Sequence, residues 1–322
     1  MHIDRLGRAA LTLTALVAGC THSGEHATAP SVPVAPAEQA QQTFPTPDAA
    51  SAALVDASRS DDTVALARIL GPGGPELVSS GDPVADRNNR SWFVQAYDQH
   101  YDLAPNGDGS ETLELGDSRW PMPIPLVKTN DGAWRFDTTA GHDEILNRRI
   151  GKNELAAIQV CRAIVDAQQE YAMTDPDHDG IPAYAERFAS HPGKKDGLYW
   201  PAAANEPRSP LGQLFATAAD DGYGSTTQSA IGPRRPYHGY FYRMLKSQGP
   251  GAPDGARDYR VDGHLIGGFA AVAWPAKYGD SGVMTFIVNQ DGVIYQRNFG
   301  DNTDSIARAM SEYDPNGWTE VK

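Results

Sequence analysis

The residues best suited to chemistry lie in one acidic stretch, DPDHDGIPAYAE, at positions 175–186. Calcium takes about six to eight oxygen ligands, and a helix–loop–helix site supplies them from its first, third, fifth, seventh and twelfth loop residues. The residues at these ligand positions are Asp175, Asp177, Asp179, Ile181 and Glu186. Gly180 stands at the sharp turn that such a loop needs. The spacing therefore predicts a Ca²⁺ site, to which Ile181 would contribute its backbone carbonyl.

The same stretch has a second interpretation, as a solvated acidic turn that caps a helix. Pro182 occupies the position at which paired calcium loops donate a hydrogen bond to each other, and the sequence contains no second loop of this type. A bound ion would therefore be structural and not part of a switch. Both interpretations stay open at the level of the sequence, and Ca²⁺ is the one cofactor that it suggests.

The N-terminal residues predict export and lipid attachment. A short polar segment precedes an apolar stretch at 9–19 that is too short to span a bilayer and is typical of a signal peptide. The stretch ends in LVAGC, which resembles the lipobox of bacterial lipoproteins. That resemblance implies that the Cys20 thiol takes a diacylglycerol. Thr21 follows the cysteine in place of Asp, which by analogy with enterobacterial sorting favours the outer membrane, facing the periplasm.

Composition and element order divide the chain into four segments. Residues 1–19 are the predicted signal peptide, and 20–42 carry the lipidated cysteine and a tether rich in Ala, Pro and Gln. The tether is predicted to be disordered because it cannot bury enough apolar surface to offset the entropy of ordering. About 280 residues remain, which suggests two domains, at 43–148 and 149–322.

The first domain reads as helices followed by antiparallel strands, an α+β order. Thr46 and Pro47 predict the start of its first helix, and TNDG at 129–132 predicts a hairpin turn between its last two strands. This order resembles the cone-shaped nuclear-transport-factor-like fold. The resemblance implies an interior that Trp92, Trp120 and Trp134 either fill as a core or line as a small-ligand pocket.

The second domain is also predicted to be α+β, with one long helix at 152–173 packed on an antiparallel sheet. Four apolar or alternating runs near the C-terminus predict strands, and NQDG at 289–292 predicts the hairpin that joins the last two. Leu155, Ile158, Cys161 and Val165 recur at helical spacing, so Cys161 is expected to be a buried, inert thiol. This half loosely resembles the soluble part of type IV pilin-like proteins.

Several longer stretches are similar to one family of exported proteins. They include WPMPIPLVKTNDGAWRFDTTAGHDEILNRRIGKNELAAI, DGLYWP, SPLGQL, YHGYFYRMLKSQGP and GGFAAVAWPAKYGDSGVMTFIVNQDGVIYQ. Together they resemble the bacterial exported lipoproteins of domain-of-unknown-function family 2950, over about residues 43–320. The resemblance implies an envelope location and no particular reaction.

The net charge and the motifs of the chain argue against several classes of function. A net charge of −14 argues against nucleic acid as a partner, since such a surface repels phosphates. The expected partners are the membrane, through the lipid, and an envelope protein. No paired nucleophile and base, phosphate loop or transition-metal cluster occurs at recognisable spacing. We therefore expect a non-enzymatic binding or scaffolding module, with a hydrolase or isomerase that uses a pocket in the first domain as the alternative. A pocket that joins a histidine and a carboxylate would favour the alternative, and a filled interior the binding module.

Replacing the predicted lipidated residue tests the anchoring. Cys20→Ser removes the thiol that would take the lipid, so we expect an uncleaved or soluble product without incorporated fatty acid. Labelling cells with radioactive palmitate, followed by membrane fractionation, measures both properties. A Cys20→Ser protein that is still mature, acylated and membrane-bound contradicts the lipobox interpretation.

Overall fold

The computed structural model describes residues 40–176, 178–203, 205–224 and 231–322. The predicted signal peptide, Cys20 and most of the predicted tether lie outside the described residues, and so does Asp177. All described residues belong to one compact unit, Gln39–Lys322.

The described part of the chain contains seven α-helices, three of which begin at a residue whose side chain caps them. They are α1 (Pro47–Arg59), α2 (Thr63–Leu70), α3 (Gly74–Val78), α4 (Pro83–Gln99), α5 (Thr138–Thr174), α6 (Gly212–Asp220) and α7 (Thr303–Ala309), with a 3-10 turn at Gly300–Asn302. The predicted start of α1 is confirmed, because Thr46 Oγ1 accepts a hydrogen bond from Ala49 N at 3.1 Å and Pro47 is the first helical residue. Asp62 and Asp82 cap α2 and α4 in the same way.

The strands form two main sheets. They are β1 (Tyr101–Pro105), β2 (Glu111–Leu115), β3 (Trp120–Pro121), β4 (Leu126–Lys128), β5 (Trp134–Phe136), β6 (Tyr240–Leu245), β7 (Ser247–Gln248), β8 (Arg257–Asp258), β9 (Arg260–Val261), β10 (His264–Leu265), β11 (Ala270–Pro275), β12 (Thr285–Asn289), β13 (Ile294–Arg297) and β14 (Thr319–Glu320). The first sheet has the order β1-β2-β4-β5, with β3 beside β2, and the second has the order β14-β13-β12-β11-β6. Two short hairpins, β7 with β8 and β9 with β10, complete the strands.

All strand pairs within the two main sheets are antiparallel, which confirms the α+β class. Both hairpin signals are confirmed as well. Residues 129–133 connect β4 to β5, and residues 290–293 connect β12 to β13. These turns form where the sequence places Asn-Asp-Gly or Gln-Asp-Gly, since the glycines at 132 and 292 have positive φ.

Each main sheet has its own apolar core. Leu54, Ile69 and Phe136 belong to the core between α1, α2 and the first sheet. The second core packs one face of α5 against β11 and β12, and it contains Cys161, which is fully buried. Burial raises the pKa of the Cys161 thiol to about 12 and keeps it in the unreactive protonated form, which confirms the prediction for this residue. Leu155, by contrast, is 64% exposed and does not belong to the buried stripe.

Helix α5 is longer than the helix predicted at 152–173, since it begins at Thr138. It runs for 37 residues without a break, so it passes through the boundary predicted between residues 148 and 149. The division into two domains stays a prediction. Across the described ranges, no helix combines the length and the apolar character needed to cross a membrane.

The folded part begins earlier than the predicted end of the tether. The side-chain amide of Gln41 donates to the carbonyls of Ile69, Leu70 and Phe136 at 3.1, 2.9 and 2.8 Å. Gln42 N also donates to Arg68 O at 3.0 Å. A composition rich in Gln suggests a tether, but these two amides supply partners to carbonyls at the ends of α2 and β5. The last residues of the predicted tether are thus part of the fold.

Two glycines of α5 provide a matched test of its packing. A Cβ at Gly141 would lie 2.3 Å from Pro123 O and 2.7 Å from Ile124 N, whereas a Cβ at Gly151 would meet nothing within 4 Å. We expect Gly141→Ala to destabilise the protein by about 1–3 kcal/mol, because backbone must move. Gly151→Ala should stabilise it by about 0.5–1 kcal/mol through helix propensity. Urea unfolding monitored by circular dichroism measures both, and equal midpoints would refute this view of the α5 contact.

Candidate functional site

The acidic stretch at 175–186 forms a turn directly after α5. Asp175 ends the helix with a φ of 43°, and its Oδ2 accepts a hydrogen bond from Gly180 N at 3.0 Å. Asp179 Oδ1 accepts from Ile181 N at 2.8 Å, and its Oδ2 lies 3.3 Å from His264 Nδ1. Asp175 Oδ1 is buried and has no hydrogen-bond partner among the residues that the structure describes. The turn therefore orients these two carboxylates with its own backbone amides.

Glu186, the last calcium ligand that the spacing predicts, forms two ion pairs in the structure. Its carboxylate is 2.6 Å from Lys246 Nζ and 2.5 Å from Arg260 Nη2, and these partners lower its pKa to about 2, with the Arg260 hydrogen bond as the largest cause. The helix expected after the loop is not present, since Tyr184 instead bridges to Leu265 in extended conformation. Within the described ranges, no three His, Cys, Asp or Glu side chains form a group that could hold a metal.

A cavity of about 500 Å³ lies between α4 and α5, and we call it the α4–α5 pocket. Its apolar floor belongs to the first core and consists mainly of Leu54, Leu66, Leu70, Val78, Met122 and Ile124. Ligand pockets have volumes of about 300–1,000 Å³ and are lined mostly by apolar groups. The cavity thus has the size and lining of a site for one small organic molecule.

An aromatic pair lies at the rim of this pocket. Trp92 on α4 and Trp120 on β3 pack edge to face, with ring centroids 5.4 Å apart. Trp92 is 50% exposed, which leaves one of its faces open, and the Arg148 guanidinium lies 5.5 Å from the Trp120 centroid. The prediction that these two tryptophans line a pocket agrees with their positions. Trp134 packs against the first core and does not line the pocket.

Asp82 joins three parts of the chain behind the pocket wall. It is 1% exposed, and its Oδ1 accepts from the backbone amides of Val84 and Ala85 at 3.1 Å each, which caps α4. Its Oδ2 accepts from Tyr223 Oη at 2.9 Å and from Gly239 N at 2.8 Å. A buried carboxylate is stable only when its oxygens are well bonded, and four donors meet that need.

The bond to Gly239 fixes a tight turn that carries His238. Tyr237 and Tyr240 exchange backbone hydrogen bonds across the turn, and φ is positive at both central residues, 50° at His238 and 75° at Gly239. This is the φ pattern of a type I′ hairpin turn. His238 N also donates to Tyr223 Oη at 3.3 Å. The turn places the His238 ring in the wall of the pocket.

Most charges around the pocket are matched by partners. Arg90 pairs with Asp61, Arg148 with Glu144, and Arg149 with Asp280. Arg149 also donates to the carbonyls of Glu76 and Leu77, so it is fully engaged. Asp86 is bonded to Ser80, and burial is the main cause of its raised pKa.

The His238 end of the pocket carries the remaining charges. Burial lowers the pKa of His238, the nearby carboxylates of Asp221 and Asp82 oppose that shift, and Lys152 adds to it. The ring is therefore mostly neutral at neutral pH. It makes no hydrogen bond to a carboxylate among the described residues, so it does not form a histidine–carboxylate dyad of the kind that activates a nucleophile.

Sequence reasoning missed most of this arrangement. Asp82 precedes Tyr223 by 141 residues and Gly239 by 157, so no local spacing in the sequence relates this carboxylate to the turn that carries His238. One usable signal was the pair His-Gly at 238–239 between aromatic residues of a β run, which is typical of a hairpin turn.

The chain matches the model of one protein family over most of its length. The family model described as protein of unknown function (DUF2950) matches residues 41–321. The chain belongs to this family. The match covers both main sheets, α5 and the pocket, so the resemblance noted in the sequence is confirmed. No curated protein and no solved structure matches the chain significantly.

The four bonds to Asp82 predict a specific sensitivity to the loss of one oxygen. In Asp82→Asn, the new amide group must face two donors, whichever way the side chain turns. We expect the free energy of unfolding to fall by about 2 kcal/mol or more, because buried donors lose their acceptor. The control is Asp62→Asn at the exposed cap of α2, where Asp62 accepts only from Ala65 N and Asn caps about equally well. Equal unfolding midpoints for the two variants would contradict this role of Asp82.

Proposed function

We propose that the protein is a lipid-anchored envelope protein whose folded part binds a small amphipathic molecule in the α4–α5 pocket without converting it. The observation that carries this proposal is the pocket itself, an apolar floor with an open tryptophan face at the rim and a few polar groups at one end. Sites of this composition bind small organic ligands in many folds. The binding role is argued from this site and not from the family, whose description names no activity.

The finer fold assignments belong to the same proposal. We propose that α1–α4 with β1–β5 form a nuclear-transport-factor-like cone, and that α5 with β6 and β11–β14 forms a pilin-like half. The order of helices before strands and the single long helix on an antiparallel sheet support these assignments. A solved structure that places either half in another fold would refute the corresponding assignment.

The envelope location and a protein partner are also proposals. LVAGC and the apolar segment before Cys20 support the lipid anchor at the outer membrane. The strongly acidic composition supports a protein partner and disfavours nucleic acid. Crosslinking in intact cells, followed by purification through the folded part, tests the partner, and recovery of the protein without any envelope component would contradict it.

A structural calcium ion at Asp175, Asp177 and Asp179 is a further proposal. The buried Asp175 Oδ1 without a partner among the described residues supports it, since a cation would satisfy that oxygen. Because Glu186 is held by Lys246 and Arg260, we expect the ion to depend on Asp179 more than on Glu186. A melting temperature that is the same in calcium and in chelator, for the wild type and for Asp179→Asn, would rule the site out.

A hydrolase or isomerase is the second candidate, and one observation favours it. A mostly neutral His238 lies in the pocket close to Asp221 and Asp82, which is the combination of groups that general base catalysis needs. We rank it second because the ring is not oriented by a carboxylate hydrogen bond in the described part of the structure. Turnover of esterase, peptidase or isomerase substrates that His238→Ala abolishes would favour the enzyme over the binding protein.

Blocking the pocket tests the proposed function directly. Ala85 lines the pocket in the first turn of α4, and Ala140 is an exposed residue of α5 that does not line it. We expect the wild type to bind the amphipathic dye 1-anilinonaphthalene-8-sulfonate with a fluorescence increase. Ala85→Phe should weaken binding at least about tenfold because the ring occupies the apolar space, and Ala140→Phe should leave it unchanged. Equal dye affinity of both variants, with intact circular dichroism spectra, contradicts the pocket as the binding site.

A further inference from the structure

Two charged side chains of opposite sign stay unmatched at one end of the α4–α5 pocket. The Lys152 ammonium and the Asp221 carboxylate both line the cavity, and neither forms an ion pair or a side-chain hydrogen bond with any described residue. The three arginines of the lining are in ion pairs with Asp61, Glu144 and Asp280. The pocket therefore presents one available positive charge and one available negative charge.

Both free charges line the same cavity as His238. Lys152 lies on α5 and Asp221 directly follows α6, yet both act on the pKa of His238, in opposite directions. The third charged group that acts on it is Asp82, whose oxygens are engaged by four donors. Lys152 and Asp221 are thus the two free charges near this ring. A ligand with a single charge would match only one of them.

Five residues on one face of α5 line the pocket at successive positions along the helix axis. Ile145, Arg148, Arg149, Lys152 and Asn153 recur at spacings of three and four residues, so they lie on one face. Ile145 and Lys152 are separated by seven residues, a rise of about 10 Å. On the opposite wall, Asn88 of α4 donates its side-chain amide to Asp221 O at 2.9 Å, and Trp92 lies four residues further along the same helix, a rise of about 6 Å. The Asp221 backbone and Trp92 are therefore about one helical turn apart along the pocket.

We propose that the α4–α5 pocket binds an aromatic zwitterion of the amino-acid type. Its carboxylate pairs with Lys152, its ammonium pairs with Asp221, and its ring packs on the open face of Trp92. This inference rests on the proposed binding function and names the class of ligand. A free aromatic amino acid carries both charges, whereas an aromatic residue at one end of a peptide carries only one of them. A ligand with two opposite charges binds more tightly when each charge meets a partner of opposite sign. A charged side chain left without a partner in the pocket loses part of its hydration and receives nothing in return.

Calorimetric titration with three related probes tests the proposal on the purified protein. L-Tryptophan carries both charges, L-tryptophanamide lacks the carboxylate, and N-acetyl-L-tryptophan lacks the ammonium. We expect L-tryptophan to bind at least about tenfold more tightly than either analogue, which is the loss expected from one charge-assisted contact. Binding of the N-acetyl form as tight as the free amino acid would identify a peptide C-terminus as the ligand, and equal binding of the amide would identify a peptide N-terminus. Either of these outcomes overturns the double-charge assignment.

Two charge-removing variants assign each contact separately. Lys152→Met should bring L-tryptophan down to the affinity of its amide, and Asp221→Asn should bring it down to the affinity of the N-acetyl form. Lys152→Met should still bind L-tryptophan more tightly than the N-acetyl form, and Asp221→Asn should still bind it more tightly than the amide. Lys128→Met is the control, because Lys128 lies on β4 and does not line the pocket. Unchanged discrimination in Lys152→Met and Asp221→Asn overturns the assignment of these residues.

The failure of this inference and the failure of the proposed function give different results. If the dye binds in the wild type and is lost in Ala85→Phe, while the three tryptophan probes bind equally or not at all, the pocket binds ligands but not zwitterions. If Ala85→Phe binds the dye and L-tryptophan as well as the wild type does, the pocket is not the binding site. In that case both proposals are wrong.

Discussion

The Asp82 carboxylate is the interaction on which the site depends. It caps α4, accepts the Tyr223 hydroxyl and holds the backbone of Gly239, so one buried charged group joins α4 to two segments that lie 141 and 157 residues further along the chain. The turn that carries His238 has positive φ at two successive residues, and the hydrogen bond from Gly239 N to Asp82 fixes where it lies. The position of His238 in the pocket wall is therefore a consequence of how Asp82 is bonded. The α4 tryptophan at the rim depends on the same group, since its helix starts there.

Local features of the fold follow from local sequence. The cap at Thr46 and the two hairpins with Asn-Asp-Gly or Gln-Asp-Gly turns involve residues within four positions of one another, and each was predictable. The continuity of α5 was not, because its first half is polar and weakly periodic. That half is helical because tertiary contacts hold it, including the close approach of Gly141 to Pro123 and the Arg149 pair with Asp280. Leu155 shows the opposite error, an apolar residue on the helix that packing leaves exposed.

The site was harder to predict than the fold for a physical reason. Its polar groups come from the cap of α4, one face of α5, the end of α6 and a hairpin turn, and no spacing in a linear sequence relates them. The acidic stretch at 175–186 has the spacing of a calcium loop, but its last carboxylate, Glu186, forms ion pairs with residues outside the stretch. Lys246 and Arg260 are distant in sequence, so their ion pairs with Glu186 could not be predicted from the stretch itself. The sequence assigned Trp92 and Trp120 to the interior of the first domain, and both line the pocket.

The length of α5 has a consequence for how the chain matures. The buried face between Ala157 and Tyr171 shares its core with Phe188 and Phe215, which follow it closely in the chain, and with β11 and β12, which are synthesised about a hundred residues later. A helix in water gains little stability by itself and relies on packing of its apolar face. Contacts of such sequence separation form slowly, so part of that face stays uncovered in a growing chain until the C-terminal strands are synthesised.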